Sequence, residues 1–220
     1  MTPIQYERAR RLLCERDAVL ADIIGRVGRC RIAERPDVPL FVFMTGSIIS
    51  QQLSTKAAAT IRRRVLALFP PEEGPTAAGL LQIPDDALRA AGLSRQKVAY
   101  LRDLASKVEA GVLCVDALPT LDDDAVIAAL TQVKGIGPWS AQMFLMFRLH
   151  RPDILPTGDV GILRAVRQAY RLRKAPTPKR LTRLASPWRP YRSIACWYLW
   201  ASLDNAPVGE TLTGRSPQSA

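Results

Sequence analysis

Apolar positions along this chain recur at spacings of three and four, the signature of helices that bury one face. Ile4 to Leu20 shows this spacing after Pro3, and Leu40 to Ile49 is apolar nearly all round, as a buried central helix would be. Thr55 to Leu68 follows a capping Ser54 and breaks at Pro70-Pro71. Pro84-Asp85-Asp86 opens a short helix that Gly92 ends. Ser94 then caps an amphipathic helix in which Val98, Leu101, Leu104 and Val108 share a face before Gly111. Further helices are predicted from Asp122-Asp123-Asp124 to Leu130 or Thr131, and over Pro138 to Leu149, Asp159 to Tyr170, Pro178 to Ala185 and Tyr191 to Leu203. The only strand-like piece, Val112 to Val115, is too short to found a sheet. The pattern predicts an all-α protein of about ten helices: one helical core over residues 1–204, then a Pro-, Gly-, Ser- and Thr-rich tail over 205–220 that is expected to be mobile.

Composition narrows the class. The 220 residues carry 31 Lys and Arg against 20 Asp and Glu, a net charge of +11. No apolar run reaches the length of a membrane span, and the polar first eleven residues give no export signal, so a soluble cytoplasmic chain is expected. Cys14, Cys30, Cys114 and Cys196 are widely spaced and read as reduced and mostly buried. With His150 as the single histidine, neither a zinc centre nor a histidine-based triad has much to draw on. From Val160 to Leu203 ten basic residues, eight of them Arg, occur with no acid. Such a stretch suits a polyanion, nucleic acid first.

The most specific local pattern is Leu130-Thr131-Gln132-Val133-Lys134-Gly135-Ile136-Gly137-Pro138-Trp139. It joins two helices by a very short turn, a hairpin spanning 131–139. Gly135 and Gly137 permit positive φ and close backbone approach, Ile136 plugs the gap between the helices, and Pro138 suits the first helical position. The N–H groups at this helix start are expected to hold a DNA phosphate, with Lys134, Gly135, Ile136, Gly137 and Trp139 as the contacts.

The hairpin is followed, 22 residues after Gly137, by the carboxylate of Leu155-Pro156-Thr157-Gly158-Asp159-Val160-Gly161. Together these resemble the helix-hairpin-helix superfamily of DNA glycosylases, and more narrowly the DNA-3-methyladenine glycosylase II family. Ser47-Ile48-Ile49-Ser50-Gln51-Gln52-Leu53-Ser54, Gly92-Leu93-Ser94-Arg95-Gln96-Lys97 through Tyr100-Leu101, and Trp188-Arg189-Pro190-Tyr191-Arg192-Ser193 through Trp200 agree with the narrower match, so the likeness runs over roughly residues 35 to 203. It implies a two-lobed helical fold with a cleft between the lobes, and a monomer acting on double-stranded DNA that contains alkylated bases.

The resemblance assigns roles. Asp159 would be the catalytic carboxylate, stabilising oxocarbenium character on the sugar and orienting or deprotonating water, although an Asp before a helix also serves as a cap. Gln52, with Leu53 able to share the task, would fill the space left by the extruded base. Trp139, Trp200 and Met143 would line the base pocket, where an indole face attracts a cationic alkylated purine. Asp153 and Asp204 match no motif; Trp188, Tyr191, Trp197 and Tyr198 read as core or pocket rim.

Two departures sharpen the expectation. Bifunctional relatives carry a lysine two residues after the second hairpin glycine; here that position is Trp139, so hydrolysis without strand cleavage is expected. Iron–sulfur relatives have four clustered cysteines where this chain has Cys196 alone, so no cluster, other cofactor or required metal is expected. In several relatives hairpin carbonyls hold a monovalent cation; here they would be those of Thr131, Val133 and Ile136. The expected activity is release of alkylated purines, 3-methyladenine and 7-methylguanine, in base excision repair. A non-catalytic DNA-binding module, or a glycosylase for deaminated or etheno-adducted purines, is the alternative.

Overall fold

The first departure from the pattern is at Asp17. The expected single helix over Ile4 to Leu20 is two, α1 (Pro3–Arg16) and α2 (Ala18–Val27). Asp17 leaves helical geometry (φ −147°, ψ 106°), and its Oδ1 accepts the N–H groups of Val19 and Leu20. Its Oδ2 accepts from the Tyr170 hydroxyl at 2.5 Å and the Trp188 indole N–H at 2.8 Å. Partners more than 150 residues away hold the chain in a cap where local spacing alone would continue the helix.

The computed structural model describes residues 3–32, 34, 38–70 and 74–203. Asp204 and the tail lie outside them. Ten more α-helices follow among the described residues: α3 (Leu40–Ser50), α4 (Thr55–Leu66), α5 (Ala77–Gln82), α6 (Asp85–Ala90), α7 (Arg95–Glu109), α8 (Asp123–Thr131), α9 (Pro138–Phe147), α10 (Val160–Ala169), α11 (Pro178–Leu184) and α12 (Arg192–Ala201). The strand-like Val112 to Val115 forms no strand; a 3-10 turn runs over Val115–Thr120 instead, and a second over Ser186–Trp188. Side-chain N-caps from Ser54, Thr76, Ser94, Asp122, Asp159 and Thr177 start six of these helices, each contributing ~1 kcal/mol. The sequence pattern missed α5, which has only six residues; Arg102 of α7 donates to the carbonyls of Leu80 and Ile83 at its end and to Asp85 of α6.

The described residues cluster into two compact units, one from residues up to 34 and from 142 to 203, the other from 38 to 141. The first is built on fully buried Leu13, Leu20, Ile23, Trp188 and Tyr198, whose hydroxyl donates to the Gly28 carbonyl at 2.9 Å. The second centres on Met44, Ile48 and Ile49 of α3 with Leu80, Leu88, Leu101 and Leu104. Burial of each such side chain contributes ~1.5–3 kcal/mol before entropy is counted. All four cysteines are free thiols, but only Cys196 is fully buried; Cys114, in the loop before a 3-10 turn, is exposed.

Candidate active site

Loop 151–159 brings Asp159 to the start of α10, and α12 fixes that loop along its length. Ser193 Oγ accepts the Ile154 N–H at 2.9 Å and donates to the Arg151 carbonyl at 2.7 Å. Arg192 clamps Asp153 with Nε at 2.7 Å and Nη2 at 2.9 Å, and Arg189 adds a third contact at 3.2 Å. Asp153 is therefore an anchor of the loop. Arg192, counted in the basic stretch, is turned inward onto it, while the other nine basic side chains between 160 and 203 are exposed.

At the loop's end Asp159 is only 6 % exposed. It caps α10 as the sequence suggested, its Oδ1 accepting the Ile162 N–H at 2.7 Å. The same oxygen accepts the Trp200 indole N–H at 2.9 Å. Trp200 is itself 6 % exposed and packs against Phe147, ring centroids 5.7 Å apart. Expected as a wall for the base, Trp200 thus also steers the carboxylate, a contact that no sequence pattern announces. The approach depends on Gly161, where a Cβ would lie 2.9 Å from the Trp200 indole nitrogen and 3.0 Å from Asp159 Oδ1. Accepting from the Ile162 N–H and the Trp200 indole N–H at a helix N-terminus, the buried carboxylate stays oriented. Val160, beside it, is 78 % exposed.

In the second unit the hairpin and the Gln52 loop sit on α7. Lys97 Nζ donates to the carbonyls of Ile49 and Gln51, each at 2.7 Å, closing the end of α3. Burial lowers the Lys97 pKa, and the two carbonyls offset that desolvation. Gln51 Nε2 donates to the Gly135 carbonyl at 2.8 Å. The next residue, Gln52, is exposed and adopts a left-handed φ of 57°, and Leu53 is also exposed.

The two hairpin glycines differ. Gly135 has φ 83°, and an added Cβ would lie 2.1 Å from the Tyr100 ring. Gly137, expected to share the positive φ, does not; a Cβ there would meet nothing within 4 Å. Two of the expected phosphate donors are already engaged: the Lys134 N–H donates to Asp103 Oδ2 at 2.8 Å, and the Ile136 N–H to the Val133 carbonyl at 3.0 Å. The Lys134 ammonium remains exposed, 4.0 Å from Asp103. Among the described residues the N–H groups of Gly135 and Gly137 have no protein partner. Burial raises the Asp103 pKa, but the hydrogen bonds from Lys107 and the Lys134 N–H, with both lysine charges, outweigh it and bring it below the ordinary value. The Val133 carbonyl, one of the three expected to hold a monovalent cation, accepts the Ile136 N–H and keeps a second lone pair; carbonyls are neutral ligands and give a divalent ion no charged partner.

On α9, Trp139 is 37 % exposed and Met143, four residues on and so on the same helix face, is buried. No helix among the described residues is long and apolar enough to cross a membrane.

Residues 45–190 match the HhH-GPD superfamily base excision DNA repair protein family. DNA-3-methyladenine glycosylase 1 of Schizosaccharomyces pombe is 33% identical over 155 residues, covering 70% of this chain and 68% of that protein. A solved structure of the Schizosaccharomyces pombe 3-methyladenine DNA glycosylase in complex with abasic DNA superposes with a TM-score of 0.78 at 29% identity, covering 90% of this chain and 98% of the other. The structure of DNA-3-methyladenine glycosidase from Bacillus halodurans gives a TM-score of 0.75 at 36% identity, covering 87% and 86%. On the family match, the hairpin and the capped, buried carboxylate together, the chain belongs to the HhH-GPD superfamily of base excision DNA repair proteins.

Proposed function

We propose that this chain is a monofunctional DNA glycosylase that hydrolyses the N-glycosidic bond of alkylated purines, 3-methyladenine and 7-methylguanine, in double-stranded DNA. The observation that carries the reading is Asp159, buried and held on one oxygen by Ile162 N–H and Trp200 Nε1. Alkylation at N3 or N7 gives the purine a positive charge, so it departs as a neutral base once the C1′–N bond breaks. The sugar is left with oxocarbenium character. Asp159 stabilises that charge and takes the proton of the water whose oxygen bonds to C1′. No acid is needed for the leaving group, which suits a site with one carboxylate. The names of the relatives from Schizosaccharomyces pombe and Bacillus halodurans, both 3-methyladenine enzymes, support this substrate class.

Gln52 and Leu53 act as the wedge that replaces the extruded base, while Trp139, Trp200 and Met143 receive it. The N–H groups of Gly135 and Gly137 and the Lys134 ammonium grip phosphate, and the exposed arginines of α10 and α11 extend the grip. The carbonyls of Thr131, Val133 and Ile136 would hold a monovalent cation, which would add positive charge beside the bound strand. The enzyme acts as a monomer on chromosomal DNA in the cytoplasm. The test is incubation with a duplex carrying one 7-methylguanine: free base and an intact strand with an abasic site are expected. Failure to release base, or a covalent adduct trapped by borohydride, would contradict the reading.

A further inference from the structure

We infer that Lys97 is a positioning residue for base extrusion, fixing the Gln52–Leu53 turn relative to the hairpin. The inference rests on the wedge role proposed for that turn. Lys97, Tyr100 and Asp103 follow one another at three-residue steps on α7, and each takes a different part of the DNA-facing machinery. Lys97 holds the carbonyls of Ile49 and Gln51, the residues that lead into the turn. Tyr100 packs its ring against Gly135, and Asp103 accepts the Lys134 N–H. The Gln51 amide, donating to the Gly135 carbonyl, closes the triangle from turn to hairpin.

Each of these side chains holds backbone, which is what positioning requires. Gln52 and Leu53 project their side chains to solvent, so their own contacts do not hold them in place. Gln52 also sits at a φ of 57°, a conformation that persists in a non-glycine residue only where the surroundings impose it. The ammonium on two carbonyls immediately before Gln52 supplies that constraint. A wedge so held meets the base stack at one height, set by the hairpin that grips the strand. A loosened wedge would still let the hairpin bind DNA but would extrude the base poorly.

The test compares Lys97→Met with Lys97→Arg on two duplexes, one with 7-methylguanine paired to cytosine and one with it opposite an abasic position, where little force is needed to extrude it. Single-turnover release from the paired duplex should fall at least tenfold in Lys97→Met. Release from the gapped duplex and affinity for undamaged DNA should stay within about threefold, and Lys97→Arg should recover most of the loss. Equal loss on both duplexes, or none on the paired one, would overturn the inference while leaving the glycosylase reading intact. No release by the unaltered protein from either duplex would overturn both. Gln51→Met, at a half-exposed position, should show the same split at smaller size should Lys97→Met fail to fold; an even loss across both duplexes there would also count against it.

Discussion

Two helices back the two working parts of this molecule, and they do so in opposite ways. Helix α12 reaches forward with side chains, Arg192, Ser193 and Trp200, and closes them on a loop until its carboxylate is almost fully buried. Helix α7 ties down backbone, at Ile49, Gln51 and Lys134, and leaves Gln52, Leu53 and Trp139 facing solvent. The difference matches the tasks proposed for each. A carboxylate that must meet a developing cation gains from fixed orientation and low dielectric. A wedge and a phosphate grip must be exposed to reach DNA, so they are made rigid from behind.

The first way to probe this contrast is salt. Docking through exposed arginines predicts that affinity for undamaged duplex falls about 10³-fold or more between 50 and 200 mM salt, whereas single-turnover release at saturating enzyme barely changes. A flat affinity would remove the basic stretch from the interface. Next in size is the pair of glycines. Gly135→Ala faces both a positive φ and the Tyr100 ring, and should lose ~2–3 kcal/mol of stability by denaturant unfolding. Gly137→Ala meets open space and should keep or slightly raise stability while weakening duplex binding several-fold. Equal behaviour of the two would erase the distinction between a glycine the fold needs and one the partner needs.

Trp200→Phe keeps an aromatic ring but removes the indole N–H from Asp159, and a roughly tenfold slower release is expected, the size of one hydrogen bond to a charged group. Unchanged release would show that the indole serves the base alone. The smallest effect concerns Asp103. Its pKa lies below 3.8 in the folded chain, so its stabilisation is present above that pH and is lost as pH falls through the folded value. Asp103→Asn should therefore lower the Tm modestly at pH 7, and the gap from the unaltered protein should close below about pH 3.8, as thermal melts across that range would show.

Much of the fold was legible because helix caps are local. Ser54, Ser94, Asp122 and Asp159 each stand in the sequence just before the apolar spacing they start, and each caps in the structure. The break at Asp17 was hidden because its decisive partners, Tyr170 and Trp188, are remote, and α5 because six residues show no period. In the site, Asp159 and the hairpin stood out by spacing. The donor on Asp159, the inward turn of Arg192 and the stripe on α7 did not. Lys97, Tyr100 and Asp103 look like the polar side of an ordinary amphipathic helix, and their partners lie 31 to 48 residues away. Gly161 stood in a recognised segment, yet its reason, the approach of Trp200, is visible only in three dimensions.

The central claim is that the Asp159 carboxylate performs the hydrolysis, and the single-turnover rate of Asp159→Asn on a 7-methylguanine duplex tests it most directly. The amide oxygen can still accept from the Ile162 N–H and the Trp200 indole N–H, so folding and duplex affinity should persist. Base release should fall by roughly 10²–10⁴. A variant that releases base at the rate of the unaltered protein would contradict the account.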